Sequence, residues 1–190
     1  MKFRIICIIA LTLLSQQDRL VAQYSSPTVI STNPDGLVDQ SRKKFARKDF
    51  TGAMNDLNQA IKANPKHSKA YNGRGLVKHM LNDLKGSMMD YDMAISLDPK
   101  YARAYSNRGA LKLYQDDLNS ASIDLNSAIA LDPSFADAYN NRGLILSKLG
   151  KRDAAIKDFQ KAARLYEAQG DKESARQSLE TIKKLNRARV

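Results

Sequence analysis

Three arginines, Arg74, Arg108 and Arg142, recur at intervals of 34 residues, and four carboxylates, Asp56, Asp90, Asp124 and Asp158, recur at the same interval. A guanidinium fork matches a carboxylate with two parallel hydrogen bonds, so the two columns predict ion pairs within or between neighbouring helices. A ligand-binding role for the arginines is the alternative, but a residue that returns at the same repeat position usually serves the repeat. Other reactive chemistry is sparse. The histidines are His67 and His79, and the single cysteine is Cys7. No glycine-rich phosphate loop, paired metal-ligand motif or nucleophile elbow is visible, and the serines lack a base at any defined spacing. His67 lies beside Pro65 and reads as exposed, while His79 reads as a helix residue that packs or faces a groove. A lone histidine on a helix is more often structural than catalytic. The sequence therefore predicts no enzymatic activity, no cofactor and no metal site.

The elements that must position these residues follow from the same period. Pro65, Pro99 and Pro133 lie 34 residues apart, and the segments before them share columns of small, aromatic and aliphatic residues. One column holds Tyr71, Tyr105 and Tyr139, and another holds Ser41, Gly75, Gly109 and Gly143. A second group holds Ala53, Ser87, Ala121 and Ala155, then Leu57, Tyr91, Leu125 and Phe159, then Ala60, Ala94, Ala128 and Ala162. Spacings of three, four and seven place such residues on one face of a helix, so each repeat carries two helices. Glycine on the first opposite alanine on the second lets two backbones approach closely, and larger side chains there would force them apart. Asn64-Pro65, Asp98-Pro99 and Asp132-Pro133 stop each second helix, because proline lacks an amide donor and biases its predecessor away from helical angles.

These columns resemble the tetratricopeptide repeat family, in the subtype whose first helix carries Ala-Tyr-x-Asn-Arg-Gly. Here that motif reads Ala104-Tyr105-Ser106-Asn107-Arg108-Gly109 and Ala138-Tyr139-Asn140-Asn141-Arg142-Gly143, with Gly73 replacing the asparagine in the second copy. Four repeats are read near 34–67, 68–101, 102–135 and 136–169. The resemblance implies an all-α fold, a right-handed superhelical solenoid of antiparallel helix hairpins. The first copy is divergent, with Gly36-Leu37 in place of Ala-Tyr, and the fourth ends in Glu167 instead of proline. Terminal copies of a stacked array have one neighbour only and vary accordingly. Gly170-Asp171 then offers a stop and a new N-cap, and Ala175, Leu179, Ile182 and Leu185 form an apolar stripe. Residues 171–187 are read as a capping helix.

At the other end, Lys2 and Arg4 precede an apolar run from Ile5 to Leu14, and Leu20-Val21-Ala22 offers a cleavage site. Residues 1–22 are read as a secretory signal peptide, because the run is about half the ~20 residues of a membrane-spanning helix. Retention as an uncleaved anchor is the alternative. Residues 23–35, rich in Ser, Thr, Asn and Pro, read as a flexible leader. Export to a periplasm, a thylakoid lumen or the outside of the cell follows. Without its signal the chain has no cysteine, so packing alone must stabilise it.

The formal net charge is +11, or about +9 once Lys2, Arg4, Asp18 and Arg19 are removed. Arg42, Lys43, Lys44, Arg47 and Lys48 form a cluster. Such a cluster is either a solvated helix face or a patch for an anionic surface or acidic protein. Export and the lack of interleaved aromatics argue against nucleic acid.

The resemblance also implies a binding surface, since the first helices of the family line a concave groove. Its inward columns carry over to Val38, Arg42 and Phe45, then Lys69, Asn72, Leu76, His79 and Met80, then Arg103, Ser106, Ala110, Leu113 and Tyr114, then Asp137, Asn140, Leu144, Ser147 and Lys148. Partner contacts are expected at Arg42, Lys69, Asn72, His79, Arg103, Tyr114, Asn140 and Lys148. Packing between repeats is the alternative for Phe45, Leu76, Leu113 and Tyr114. The terminal-carboxylate clamp of some family members is not matched, because Val38 and Arg42 stand where Lys and Asn are required. An interaction module for an acidic and hydrophobic peptide or subunit is the leading expectation. Homo-oligomerisation and electrostatic attachment to an anionic membrane surface are the alternatives.

Overall fold

The computed structural model describes residues 33–187. The signal-peptide reading over 1–22 and most of the leader reading lie outside these residues. Among the described residues the chain forms nine helices and no strand. They are α1 (Pro34–Ala46), α2 (Phe50–Ala63), α3 (Ser68–Met80), α4 (Leu84–Leu97), α5 (Ala102–Tyr114), α6 (Leu118–Leu131), α7 (Ala136–Lys148), α8 (Arg152–Ala168) and α9 (Lys172–Arg187). Consecutive helices pack as hairpins, α1 with α2 through α7 with α8, and α9 packs on α8.

The start of α1 corrects the leader reading. Pro34 and Asp35 are helical, because the Asn33 side chain accepts from the Asp35 amide at 3.1 Å and proline occupies the first turn, where its missing amide costs nothing. Three of the four second helices share one cap. Asp49, Asp83 and Asp117 accept from the amides of Gly52, Gly86 and Ser120 at 2.8, 2.9 and 3.1 Å. The turn before each cap needs a left-handed residue, filled by Lys48, Asn82 and Asp116 at φ 62–63° and by Gly150 at φ 70°. At the far end, Asn64, Asp98 and Asp132 accept from the amide two residues on, across the intervening proline, at 2.9–3.0 Å. These side chains supply the turn that the proline, having no amide, cannot close.

The core is the set of small and aliphatic columns. Ala53, Ala60, Ala94, Ala121, Ala128, Ala155 and Ala162 are fully buried, as are Tyr91, Leu125 and Phe159. A Cβ on Gly75 would lie 2.8 Å from Tyr91, one on Gly109 2.9 Å from Leu125, and one on Gly143 3.0 Å from Phe159. Glycine thus sets the spacing of each hairpin. At the C-terminal end α8 is longer than the other second helices, and Gly170 at φ 80° reverses the chain into α9. That helix buries Ala175, Ser178 and Ile182 and covers Phe159, Ala162 and Tyr166, while Glu173, Arg176, Glu180 and Lys183 form exposed pairs on its outer side.

Candidate functional site

Two sets of polar residues stand out, one inside the hairpins and one on the face shared by the first helices. Within the hairpins, Arg74 pairs with Asp90 through Nε and Nη2 at 2.9 and 2.7 Å. Arg108 pairs with Asp124 in the same two distances, and Arg142 with Asp158 at 2.7 and 2.9 Å. Each arginine uses its third nitrogen on the preceding second helix, where Asn58, Asp92 and Asn126 accept at 3.0, 2.7 and 2.8 Å. The guanidinium also lies over the tyrosine one turn earlier, with Arg74 5.3 Å from the Tyr71 ring centre, Arg108 5.7 Å from Tyr105 and Arg142 5.5 Å from Tyr139. One arginine therefore ties three helices and two repeats together.

Lysines complete the network. Lys44, Lys78 and Lys112 reach Asp56, Asp90 and Asp124 at 2.7–2.8 Å. The paired aspartates are 2–7% exposed, so each is a buried charge that needs its cation. Hydrogen bonds to the carboxylates hold the guanidinium pKa values of Arg74, Arg108 and Arg142 above their ordinary range. All three guanidinium nitrogens of each arginine are thus engaged within the array, which is the structural role the recurring column predicts. Lys44 is also taken out of the basic cluster, whose Arg42 bonds Asp39 at 3.1 Å on an exposed turn.

The face shared by the first helices has a different character. One hollow of about 600 Å³ is lined by α1, α3, α5 and α7, and it brings together Arg42, Lys69, Asn72 and Arg103 with Asn107 and Asp137. Asn107 donates to Asn72 at 2.9 Å, and the Tyr166 hydroxyl donates to Asp137 at 2.6 Å. Burial first, and then this carboxylate, push the Tyr166 phenol far up. Arg103 lies over the Phe135 ring at 5.0 Å. Farther along the first helices, His79 meets Tyr114 edge to face at 5.6 Å, and Tyr114 is 66% exposed. Burial lowers the His79 pKa, and the basic side chains that line the hollow are Arg42, Lys69 and Arg103.

Two further predicted contact residues bond outside the hollow. Asn140 accepts from Ser178 of the capping helix at 3.2 Å, and Lys148 pairs with Asp116 at 2.7 Å in the turn of the preceding hairpin. His67 differs from the exposed residue expected. Its side chain is 9% exposed, Nδ1 accepts from the Ala70 amide at 3.2 Å to cap α3, and Nε2 faces Asp35 at 3.2 Å. Both ring nitrogens are thus used in joining α3 to α1. Among the described residues no cluster of three His, Cys, Asp or Glu could hold a metal, and no helix is long and apolar enough to cross a membrane.

The repeat geometry is matched by known sequences. Models of the tetratricopeptide repeat match residues 38–105, 136–167 and 162–189, and a TPR repeat model matches 113–150. The chain belongs to the tetratricopeptide repeat family. No curated protein matches it significantly in sequence. Similar solved structures include Pseudomonas aeruginosa pilF, at 20% identity and TM-score 0.64 over 80% of this chain and 75% of that one. TTC0263, a thermophilic TPR protein of Thermus thermophilus, has 19% identity and TM-score 0.63 over 78% and 89%. The first TPR of Spaghetti (RPAP3) bound to the HSP90 peptide SRMEEVD has 23% identity and TM-score 0.58 over 66% and 99%. At these identities the likeness shows the fold, an all-α solenoid of helix hairpins.

Three features escaped sequence reading. The Asn58, Asp92, Asn126 column and the Lys44, Lys78, Lys112 column both keep the 34-residue period and so carried a readable signal. The Tyr166–Asp137 bond joins residues 29 apart with no such signal.

Proposed function

We propose that this protein is an exported, non-catalytic interaction module that holds a peptide or protein subunit in its concave groove. The observation that carries the reading is the hollow in which Arg42, Lys69 and Arg103 surround Asn72 and Asn107, with the only carboxylate of its lining, Asp137, already bonded by Tyr166. Such a surface favours an acidic partner in extended or helical form. The peptide held by the RPAP3 repeat agrees in kind. Export draws on the apolar N-terminal run, and assembly of an envelope or membrane complex is the narrower form of the proposal.

The test is affinity capture with mass spectrometry, comparing the chain with a folded Lys69→Ala, Arg103→Ala, Tyr114→Ala variant. Loss of one defined partner by the variant is the expected result. Capture of the same proteins by both would remove the groove from the function. A second reading, self-association, draws on Met89 and Ile123, which are 63% and 67% exposed on the outer helices. A mass that rises with concentration in sedimentation would favour it, and a constant monomer would exclude it. Attachment to an anionic surface through Lys43, Arg47 and Lys48 would instead vanish between low and physiological salt.

A further inference from the structure

Between the second and third repeats the floor of the groove is closed by an amide pair, Asn107 donating to Asn72 at 2.9 Å. One period earlier the same two positions are Gly73 and Val38, which cannot form that bridge. An apolar slot of about 100 Å³ opens at this junction, walled by Phe45, Leu57, Leu76 and Val77. It shares Ser41, Arg42, Gly73 and Leu76 with the cationic hollow, so the two are continuous. Leu57 and Val77 are each 1% exposed, which fixes the walls in the packed core. Gly73 keeps the slot in this form, because a Cβ there would stand 2.8 Å from a Leu57 methyl. The space is smaller than the ~150 Å³ cavity that receives a benzene ring, so it fits a branched aliphatic side chain and rejects an indole.

We infer that the Val38–Gly73 junction is a side-chain socket, and that the partner of the groove is an acidic peptide segment that seats one leucine, isoleucine or valine in it. This rests on the groove reading and sharpens it. The cations at the mouth, Arg42, Lys69 and Arg103, attract the acidic flanks, while the slot selects one residue by shape. Recognition runs through side chains, so a free peptide terminus is not required.

The probe is a fluorescein-labelled heptapeptide of glutamate and aspartate with a central leucine, acetylated and amidated at its ends, together with its alanine and tryptophan counterparts. Anisotropy on the full chain is expected to show the leucine peptide binding about tenfold more tightly than either, because alanine lacks the methyl and methylene groups that leucine buries and the indole is too large for the slot. The preference should disappear in a folded Gly73→Asn variant. Methyl resonances of Leu57, Leu76 and Val77 in the unaltered chain should shift with the leucine peptide and stay fixed with alanine, a readout that needs no variant to fold. Equal binding of all three peptides, with unmoved methyls but weakened by Lys69→Ala and Arg103→Ala, would overturn the socket and leave the groove. Binding that survives the two charge substitutions unchanged would overturn both, and no binding of any peptide would overturn the socket.

Discussion

Asp124 is 2% exposed and is held by Arg108 on both oxygens and by Lys112 at 2.8 Å. Arg108→Ala would leave that buried carboxylate with one cation, at a cost of about 3 kcal/mol in urea unfolding. In a double-mutant cycle with Asp124→Asn the two losses should fall well short of additive, since both remove one interaction. Additive losses would show that the pair contributes nothing as a pair. Tyr91 makes a separate case, because its hydroxyl is buried with no hydrogen-bond partner. Tyr91→Phe should be neutral or stabilising by about 1 kcal/mol at pH 7. Burial pushes this phenol up to about 12, above the ~10 of an unfolded tyrosine. The folded state then keeps a proton that the unfolded state has lost, so stability is intact below pH 10 and falls as pH rises toward 12. Unfolding midpoints measured from pH 8 to 11.5 should fall less steeply in Tyr91→Phe than in the unaltered chain. The arginine and aspartate columns were legible because they repeat in phase. The second cation of Asp90 and Asp124 lies on an adjacent turn of the facing helix, and Leu146 breaks that lysine column in the fourth copy, which hid it. His67 was misread because nearness to a proline turn implies exposure, whereas the capping role draws the ring inward.

Among the second helices, α8 lacks the shared cap. Lys151 stands where Asp49, Asp83 and Asp117 accept amide hydrogens, and no side chain caps its first turn. Lys151→Asp should restore the cap and oppose the helix dipole less, raising stability by about 1 kcal/mol as an increased urea midpoint at unchanged slope. An unchanged or lowered midpoint would mean that the first turn of α8 is satisfied in another way. Helix ends were legible where Asn-Pro or Asp-Pro marked them and at Gly170-Asp171, whereas the caps at Asp49, Asp83 and Asp117 went unread although they keep the 34-residue period. The start of α1 was not legible either, because Asn33-Pro34 signals a turn and a helix entrance with the same residues.

Over the whole molecule, the order of the array depends on its ends. Removing residues 172–190 would expose Phe159, Ala162 and Tyr166, now covered by α9. A truncated chain should lose several degrees of thermal stability and sediment as a self-associating species, whereas a stable monomer would show that α9 is not a cap. The period made the solenoid readable from sequence alone. It did not reveal the contacts that first-helix residues make across repeats, such as Asn140 with Ser178 of the capping helix and Lys148 with Asp116. The most direct test of groove binding places a photo-crosslinking amino acid either at Lys69, on the concave face, or at Ile123, on the outer face, and identifies the adducts formed in cells by mass spectrometry. Groove binding predicts a discrete adduct with a different protein from position 69 and none from position 123. No adduct at 69, or adducts only with further copies of this chain at 123, would contradict it.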